Sequence, residues 1–246
     1  MPHPKLGQHF LTRGSVLERI AAAACPTVED LAIEIGPGRG ALTEKLLKRA
    51  ARVIAIEVDR YLAGYLEQKF AGEPRLEVVR ADVLETDLAQ WGPGVIAGNL
   101  PYYITSPILE KTVRLRFPRA VFLVQKEVAQ RLAARPGSRD YGFLTVETAL
   151  FAAVRLLFEV KAAAFHPPPK VDSAVVVLES RPANPAIGDS DAFLRFVGHC
   201  FRQKRKTIRN NLAAIYGKEA IERWPEAALR AEQIPVEGFV EMYRRL

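Results

Sequence analysis

A glycine-rich turn between an apolar run and a helix constrains the fold more than any other feature of this sequence. Residues 31–35 (LAIEI) predict a buried strand, and residues 36–40 (GPGRG) open a helix that we expect to run to about Ala50. Glycines allow tight turning and close approach of the backbone to a ligand, and a helix N-terminus is electropositive. The pattern therefore predicts a nucleotide-type binding loop at the carboxyl end of a strand.

Apolar runs and helical patterns alternate along the first half of the chain. Strands are predicted at residues 31–35, 52–57, 76–79, 94–97 and 120–125. This alternation indicates an α/β fold with a mostly parallel, doubly wound sheet. Two later apolar runs, residues 156–161 and 174–179, are joined without a helix after a predicted helix at residues 141–154. We expect them to form an antiparallel pair at one edge of the sheet.

The composition changes to Pro, Asn, Gly and Asp near residues 182–190, which indicates a linker. Beyond it the pattern is helical throughout. We therefore predict a catalytic domain over residues 1–182 and a small all-α domain over residues 183–246. Its helices are expected at residues 192–202, 204–215, 218–223 and 236–245.

Acidic residues stand in or at the ends of the first three predicted strands. Glu34 lies inside a buried strand, where a carboxylate needs a partner, such as a ligand ammonium or loop amides. Glu57 ends the next strand 21 residues after Gly36 and could take both ribose hydroxyls of an adenosine. Asp82 follows the third strand and could accept from an adenine amino group or cap a helix. An NAD dehydrogenase fits the glycines and Glu57 equally well.

The segment Asn99-Leu100-Pro101-Tyr102 follows an apolar run, so we expect it on a loop at the end of the sheet. The Asn99 side chain offers a carbonyl acceptor and two amide donors. Pro101 fixes its own φ and biases Leu100 toward an extended shape. Two acceptors aimed at one amino group, with the Tyr102 ring stacked on the attached heterocycle, would hold a base outside its helix. A proline turn with a core tyrosine is the alternative.

The net charge of +7 is concentrated in one C-terminal run. Residues 192–217 contain no acid, whereas a solvated helix face mixes both signs. A run of one sign favours a phosphate-binding patch over a plain solvated helix. The residues assigned to this patch are Arg202, Lys204, Arg205, Lys206 and Arg209.

Several classes of protein are disfavoured. The two cysteines, Cys25 and Cys200, are far apart, which argues against a disulfide framework or zinc ribbon and fits a reducing cytoplasm. The four histidines show no metal-ligand spacing, so no metal is expected. No apolar signal-peptide core follows Met1, and the uncharged residues 88–109 contain three prolines, so neither a signal peptide nor a transmembrane helix is predicted.

Residues 33–43 together with 99–102 resemble the S-adenosylmethionine-dependent rRNA adenine N6,N6-dimethyltransferases. Other segments share this resemblance in the same order along the chain: residues 7–11, 125–129, 165–172 and 203–212. The resemblance implies a Rossmann-like class I methyltransferase fold with S-adenosyl-L-methionine as cofactor. It is greatest to the bacterial branch that dimethylates two adjacent adenines near the 3′ end of small-subunit (16S) rRNA.

The resemblance also implies roles for individual residues. It places the segment 7–11 and Gly36 around the methionine end of the cofactor. It places Glu57 on the ribose, Asp82 on the cofactor adenine, and Asn99 where cofactor and target meet. Tyr102 and Phe165 would clasp the target adenine. The cofactor-binding residues predicted in this way are Gln8, His9, Leu11, Glu34, Gly36, Gly38, Glu57, Asp82, Val83 and Asn99.

The sequence departs from the family at His9, where asparagine is usual, although an imidazole still donates and accepts hydrogen bonds. The expected partner is small-subunit rRNA or the immature small subunit, and the expected state is a monomer. A resistance-type methyltransferase of large-subunit rRNA shares most of these motifs, but residues 165–172 and 230–237 favour the small-subunit branch. A DNA adenine methyltransferase would need a separate target-recognition domain. A ribosome assembly factor without catalysis is the remaining alternative.

Overall fold

A computed structural model describes residues 9–115, 117–182, 184 and 186–246. The chain forms two compact units. The first comprises the described part of Met1–Ala129 together with Ala153–Ser180, and the second comprises Gln130–Ala152 together with the described part of Arg181–Leu246. The sequence-based division at residue 182 placed residues 130–152 with the first domain. They join the second unit because their apolar side chains, including Tyr141 and Val146, belong to its core.

The first unit is built on a mixed sheet of seven strands in the order β4-β3-β2-β5-β6-β9-β7. Strands β4 to β6 run parallel, and β9 is antiparallel to β6. The predicted α/β class is confirmed, and the last two long strands are neighbours at one edge of the sheet as predicted. The strands are β1 (Phe10–Leu11), β2 (Glu29–Ile35), β3 (Ala50–Glu57), β4 (Leu76–Arg80), β5 (Val95–Asn99), β6 (Ala120–Gln125), β7 (Ala152–Val160), β8 (Phe165–His166) and β9 (Ser173–Ser180).

A second, two-stranded sheet pairs β1 with β8 and was not predicted. The pairing is antiparallel and sets Leu11 opposite Phe165. Each of these strands has only two residues, which is too short for the alternation of apolar and polar residues by which a strand is predicted from sequence. The pairing brings the N-terminal segment to the residues just before the three prolines.

The helices of the first unit follow the predicted order with one difference. They are α1 (Gly14–Ala24), α2 (Thr43–Leu46), α3 (Arg60–Lys69) and α4 (Thr105–Val113), and α5 (Lys126–Leu132) leads into the second unit. The helix predicted from residue 36 to Ala50 is reduced to α2. Gly36, Gly38 and Gly40 have φ of 66°, 58° and 76°, which a right-handed helix excludes.

The close packing of β2 against β5 explains why the residue before Asn99, Gly98, is a glycine. Gly98 lies opposite Ile35 in the parallel ladder. A Cβ on Gly98 would lie 2.5 Å from the Ile35 carbonyl oxygen, which is closer than real Cβ contacts come. Glycine therefore permits the register that delivers Asn99 to the end of the sheet.

The second unit is helical. Its helices are α6 (Phe143–Phe151), α7 (Ser190–Cys200), α8 (Ile208–Tyr216), α9 (Lys218–Glu222) and α10 (Val236–Tyr243). Fully buried aromatic side chains, among them Phe193, Phe196 and Phe239, form much of its core. None of the helices in the described part of the chain is long and apolar enough to cross a membrane.

Two predicted helix boundaries in this unit were wrong. The helix predicted at residues 141–154 ends at Phe151, because Ala152 already belongs to β7. The helix predicted from Lys204 begins at Ile208 instead. Thr207 is its N-cap, and the Thr207 hydroxyl accepts from the amide of Asn210 at 3.4 Å. The basic residues before Thr207 therefore lie in a turn.

Candidate active site

One cavity of about 720 Å³ opens in the first unit, beside the carboxyl ends of β2, β3 and β5. Open α/β sheets bind their ligands at this edge. Most of the residues that the sequence singled out line the cavity: His9, Leu11, Glu34, Gly36, Gly38, Glu57, Asp82, Val83, Asn99, Leu100, Pro101 and Tyr102. Gln8 lies outside the described residues.

The glycine-rich loop lies against the end of β3. The Gly38 amide donates to Glu57 Oε2 at 3.0 Å, and the Asp59 amide donates to Glu57 Oε1 at 3.0 Å. A Cβ on Gly38 would lie 3.0 Å from the Phe10 ring, so the loop leaves little room for a side chain there. The Gly38 backbone is thus fixed between Glu57 and the Phe10 ring at the wall of the cavity.

Glu57 is only 4% exposed, and burial raises the pKa of its carboxyl group. The two backbone amides fix the position of both oxygens. A carboxylate oxygen accepts more than one hydrogen bond, so each oxygen keeps an acceptor site for a ligand hydroxyl. The geometry fits the predicted contact with a ribose diol.

Glu34 differs from Glu57 in its chemical state. It is 1% exposed, and the Thr43 hydroxyl donates to Glu34 Oε2 at 2.5 Å. Burial is the main reason why the pKa of Glu34 rises to about 8. At neutral pH Glu34 is therefore largely protonated and forms a neutral part of the cavity wall.

Asp82 begins the loop after β4. Its Oδ1 accepts from the Leu84 amide at 2.8 Å, and its carbonyl oxygen accepts from the Thr86 hydroxyl at 2.7 Å. The sequence left open a role as a helix cap, but no helix begins within the described residues 82–87, and Asp82 instead holds a local turn. Asp82 also lines the cavity beside Val83, so a ligand contact remains compatible with this geometry.

Asn99 is oriented by a backbone contact with the N-terminal segment. Its Nδ2 donates to the His9 carbonyl oxygen at 2.9 Å. An amide that donates through Nδ2 in this way leaves Oδ1 as the acceptor for a ligand; this assignment follows from the hydrogen bond. The His9 ring contacts the Pro167 carbonyl oxygen through Nδ1 at 2.8 Å. His9 thus supports the site through its backbone.

The carbonyl groups that follow Asn99 are not equivalent. The Pro101 carbonyl oxygen accepts from the Thr105 hydroxyl at 3.0 Å and from the Ile104 amide at 3.2 Å. No hydrogen bond to the Leu100 carbonyl oxygen is found among the described residues. Leu100 therefore offers the better second acceptor.

Tyr102 and Phe165 were predicted to clasp a base, and the structure treats them differently. Tyr102 lines the cavity, and its hydroxyl lies 2.7 Å from Ser173 Oγ. Phe165 is 4% exposed, belongs to the hydrophobic core with Leu11, and is not among the residues that line the cavity. Side chains alternate along β8, so Phe165 points into the core while the exposed His166 lines the cavity. The stacking role of Phe165 therefore gains no support.

Other lining residues were not singled out from the sequence. They include Phe10, Arg39, Tyr65, Lys69 and Tyr103. The pair Tyr102-Tyr103 is the only local sign of an additional aromatic wall, and the sequence does not show which ring faces which part of the cavity.

The whole chain matches one family model, Ribosomal RNA adenine dimethylase, over residues 2–246. The chain belongs to this family. It is 43% identical to Ribosomal RNA small subunit methyltransferase A from Acidobacterium capsulatum, with 99% of this chain and 90% of that one covered. It is 40% identical to the protein of the same name from Thermotoga maritima, with 98% and 84% covered. The predicted enzyme class, an rRNA adenine methyltransferase, is confirmed.

Solved structures agree with this family. A dimethyladenosine transferase from Plasmodium falciparum has a TM-score of 0.82 at 27% identity, covering 96% of this chain and 98% of that one. The 23S rRNA methyltransferase ErmE has a TM-score of 0.72 at 30% identity, covering 94% and 98%. The likeness extends over both units of the chain, so the helical unit is part of the shared architecture.

The second unit of this rRNA dimethylase carries the predicted RNA-binding residues. Residues 202–206 form an exposed turn between α7 and α8, and Arg209 is exposed on α8. Arg209 is 3.9 Å from Glu222, so part of its charge is compensated. Asn211 holds the turn, since its Nδ2 donates to the Cys200 carbonyl oxygen at 2.8 Å. Their binding of RNA stays a prediction.

Proposed function

We propose that this chain transfers methyl groups from S-adenosyl-L-methionine to N6 of two adjacent adenines near the 3′ end of small-subunit rRNA, giving N6,N6-dimethyladenosine. One observation carries the proposal: Asn99 is locked by His9 so that Oδ1 accepts, in the same cavity as the glycine-rich loop and Glu57. The small-subunit branch is favoured because the Acidobacterium and Thermotoga relatives are named for that subunit. The site of action would then be the cytoplasm.

The cavity fits the cofactor. Glycines at positive φ bring bare backbone to its wall, and the Glu57 carboxylate at the tip of β3 suits a ribose diol. Asp82 and Val83 would hold the adenine. When bound, the cofactor supplies an electrophilic methyl group on a sulfonium. We assign the methionine end to the cavity wall formed by Gly36 and the N-terminal segment.

The residues of the target loop would activate the amine. Adenine N6 is a poor nucleophile because its lone pair is delocalised into the ring. Hydrogen bonds from N6–H to Asn99 Oδ1 and to the Leu100 carbonyl oxygen would localise that pair toward the methyl carbon. Asn99 and Leu100 would hold N6 in line with that methyl group, so that N6 could take it as the sulfonium leaves with the electron pair of the C–S bond, and the N6 proton would pass to water.

Positioning would supply much of the acceleration in this scheme. Tyr102 is held at its hydroxyl by Ser173, so its ring presents a fixed face for the target base. No strong general base is needed, because the product ammonium loses its proton readily. This agrees with a site that holds an amide and carbonyl groups next to the base.

Methyl incorporation tests the function directly. Labelled S-adenosylmethionine would be offered with unmethylated small subunits, free large-subunit rRNA and duplex DNA, and the products read by nucleoside mass spectrometry. Dimethyladenosine on the small subunit alone is expected. Label on large-subunit rRNA would instead indicate an activity like the 23S rRNA methylation for which ErmE is named. Small-subunit binding without label would indicate an assembly factor.

The Asn99→Ala variant tests the assigned role. We expect methyl transfer to be lost while cofactor affinity stays within about tenfold, since the amide oxygen is assigned to the target amine and the other cofactor-binding residues remain in place. Gln68→Ala, which truncates an exposed amide on α3, is the matched control and should leave both unchanged. Loss of cofactor binding in Asn99→Ala would contradict the assignment.

A further inference from the structure

A lysine on α4 holds one wall of the cavity from behind. Lys111 Nζ donates to the Leu84 carbonyl oxygen at 2.6 Å. Leu84 belongs to the loop after β4, which lines the cavity together with Asp82 and Val83. Ile108 also lines the cavity and lies on the same face of α4 as Lys111, three residues earlier. Lys111 itself does not line the cavity, so it acts on the wall and not on a ligand.

Leu84 connects Lys111 to the carboxylate of Asp82. Its amide donates to Asp82 Oδ1 at 2.8 Å, while its carbonyl oxygen accepts from Lys111. Both backbone polar groups of Leu84 are therefore engaged. No hydrogen bond to Asp82 Oδ2 is found among the described residues, so Oδ2 is the oxygen that a ligand can reach. The direction of Oδ2 then depends on where Leu84 is held.

The contact made by Lys111 differs from the other contacts of this loop. The Thr86 hydroxyl and the Glu85 amide donate to the Asp82 carbonyl oxygen, at 2.7 Å and 3.1 Å, and so fix the internal shape of the loop. Lys111 instead holds the loop to a neighbouring helix. Its side chain is half-buried, and no ion pair of Lys111 is found in the part of the chain that the structure describes. A hydrogen bond from an ammonium group is stronger than one between neutral groups, which suits this contact to anchoring the loop.

We propose that Lys111 is a positioning residue for cofactor selection. By holding Leu84, it fixes Asp82 Oδ2 where this oxygen accepts from the 6-amino group of the cofactor adenine. The inference rests on the proposed function, which supplies the cofactor and assigns Asp82 to its adenine. A base with an oxo group at position 6 would present an acceptor to the carboxylate in place of a donor. Lys111 would therefore strengthen the preference for an adenosine cofactor over its 6-oxo counterpart.

Calorimetric titration with S-adenosylhomocysteine and S-inosylhomocysteine tests this, because the two ligands differ in the 6-amino and 6-oxo groups. The ratio of their affinities is the quantity to compare. We expect the wild-type protein to bind the adenosine ligand at least about tenfold more tightly, as for a hydrogen bond to a charged group. Lys111→Met keeps an unbranched side chain without the donor, and should reduce this ratio about threefold or more by weakening the adenosine ligand.

Two further variants serve as controls. Lys111→Arg keeps a cationic donor and should restore most of the wild-type ratio. Lys48→Met removes the same charge at an exposed position of the first unit that does not line the cavity, and should leave the ratio unchanged. Loss of the ratio in Lys48→Met as well would overturn the proposal, because the effect would then come from net charge.

A double-variant cycle tests whether Lys111 acts through Asp82. Asp82→Ala removes the accepting oxygen and should abolish most of the preference. Adding Lys111→Met to Asp82→Ala should then leave the ratio unchanged, because residues that act through one contact are not additive. A further fall in the ratio would overturn the proposal, since Lys111 would be acting by another route.

The inosine ligand also reports on folding, because Lys111→Met should bind it with an affinity close to that of the wild type. Equal weakening of both ligands would overturn the proposal, as it would indicate a general loss of stability. A wild-type ratio in Lys111→Met would overturn it too, and would leave the proposed function standing. A wild-type protein that bound neither ligand would instead contradict the proposed function, so the two failures are distinguishable.

Discussion

Replacing Glu34 with glutamine should remove a titration that destabilises the folded protein at high pH. Burial raises the pKa of Glu34 from 4.5 to about 8, while the hydrogen bond from Thr43 acts in the opposite direction. The folded state thus binds this proton more tightly than the unfolded state. Its contribution to stability is fully present below about pH 4.5 and is lost as the pH rises through about 8.

The size of the effect follows from the same values. Between pH 5 and 7 the unfolded chain gives up the Glu34 proton and the folded chain keeps it. Each pH unit then costs about 1.4 kcal/mol, so the free energy of unfolding should fall by about 2–3 kcal/mol over this interval. Between pH 7 and 9 the folded chain ionises as well, so the further loss over this second interval is only about 1 kcal/mol.

Urea unfolding at pH 5, 7 and 9 would measure this, with the wild-type protein compared with Glu34→Gln at each pH. The difference between the two free energies of unfolding should change by the amounts given above. Glu67→Gln, which neutralises an exposed carboxylate on α3, should show no comparable trend. A Glu34→Gln difference that stays constant with pH would refute the reasoning.

Three other substitutions test contacts that position the two functional regions. Thr43→Val removes the hydroxyl that donates to Glu34 and should lower the free energy of unfolding at pH 7 by ~1–3 kcal/mol, whereas Thr43→Ser should restore most of it. Gly98→Ala puts a Cβ 2.5 Å from the Ile35 carbonyl oxygen, and we expect a loss of ~1–3 kcal/mol in urea unfolding together with slower methyl transfer. Asn211→Ala removes the hydrogen bonds that hold the turn before α8. It should lower the free energy of unfolding by ~1–3 kcal/mol and should also weaken rRNA binding at a fixed salt concentration. Wild-type rRNA affinity in Asn211→Ala would show that the turn needs no support.

Much of the cavity could be predicted because its chemistry lies at the ends of strands. In a parallel sheet the carboxyl ends of neighbouring strands share one edge, so strand order in the chain is enough to bring Gly36, Glu57 and Asn99 together. The glycines in the loop and the Asn-Leu-Pro-Tyr segment are local signals. Such motifs can be recognised from their own residues, without knowledge of the rest of the fold.

The predictions that failed, or gained no support, depend on contacts between distant segments. Phe165 is in the core because β8 pairs with β1, which sets it opposite Leu11 from the other end of the first unit's sequence. The helix predicted from Lys204 begins at Ile208 because Thr207 caps it and Asn211 holds the preceding turn. Neither pairing leaves a periodic pattern in the sequence.

The sequence by itself determined the class of fold, the family, and the residue types available at the cavity, because strand periodicity and short motifs are local properties. Only the tertiary structure decided how those residues are used. The hydrogen bond to His9 leaves the Asn99 side-chain oxygen as the acceptor. The Thr105 hydroxyl occupies the Pro101 carbonyl oxygen, so the Leu100 carbonyl oxygen is the one available to a ligand. Burial raises the pKa of Glu34, so this residue keeps its proton near neutral pH. Orientation and pKa depend on partners and burial, which residues distant in sequence supply.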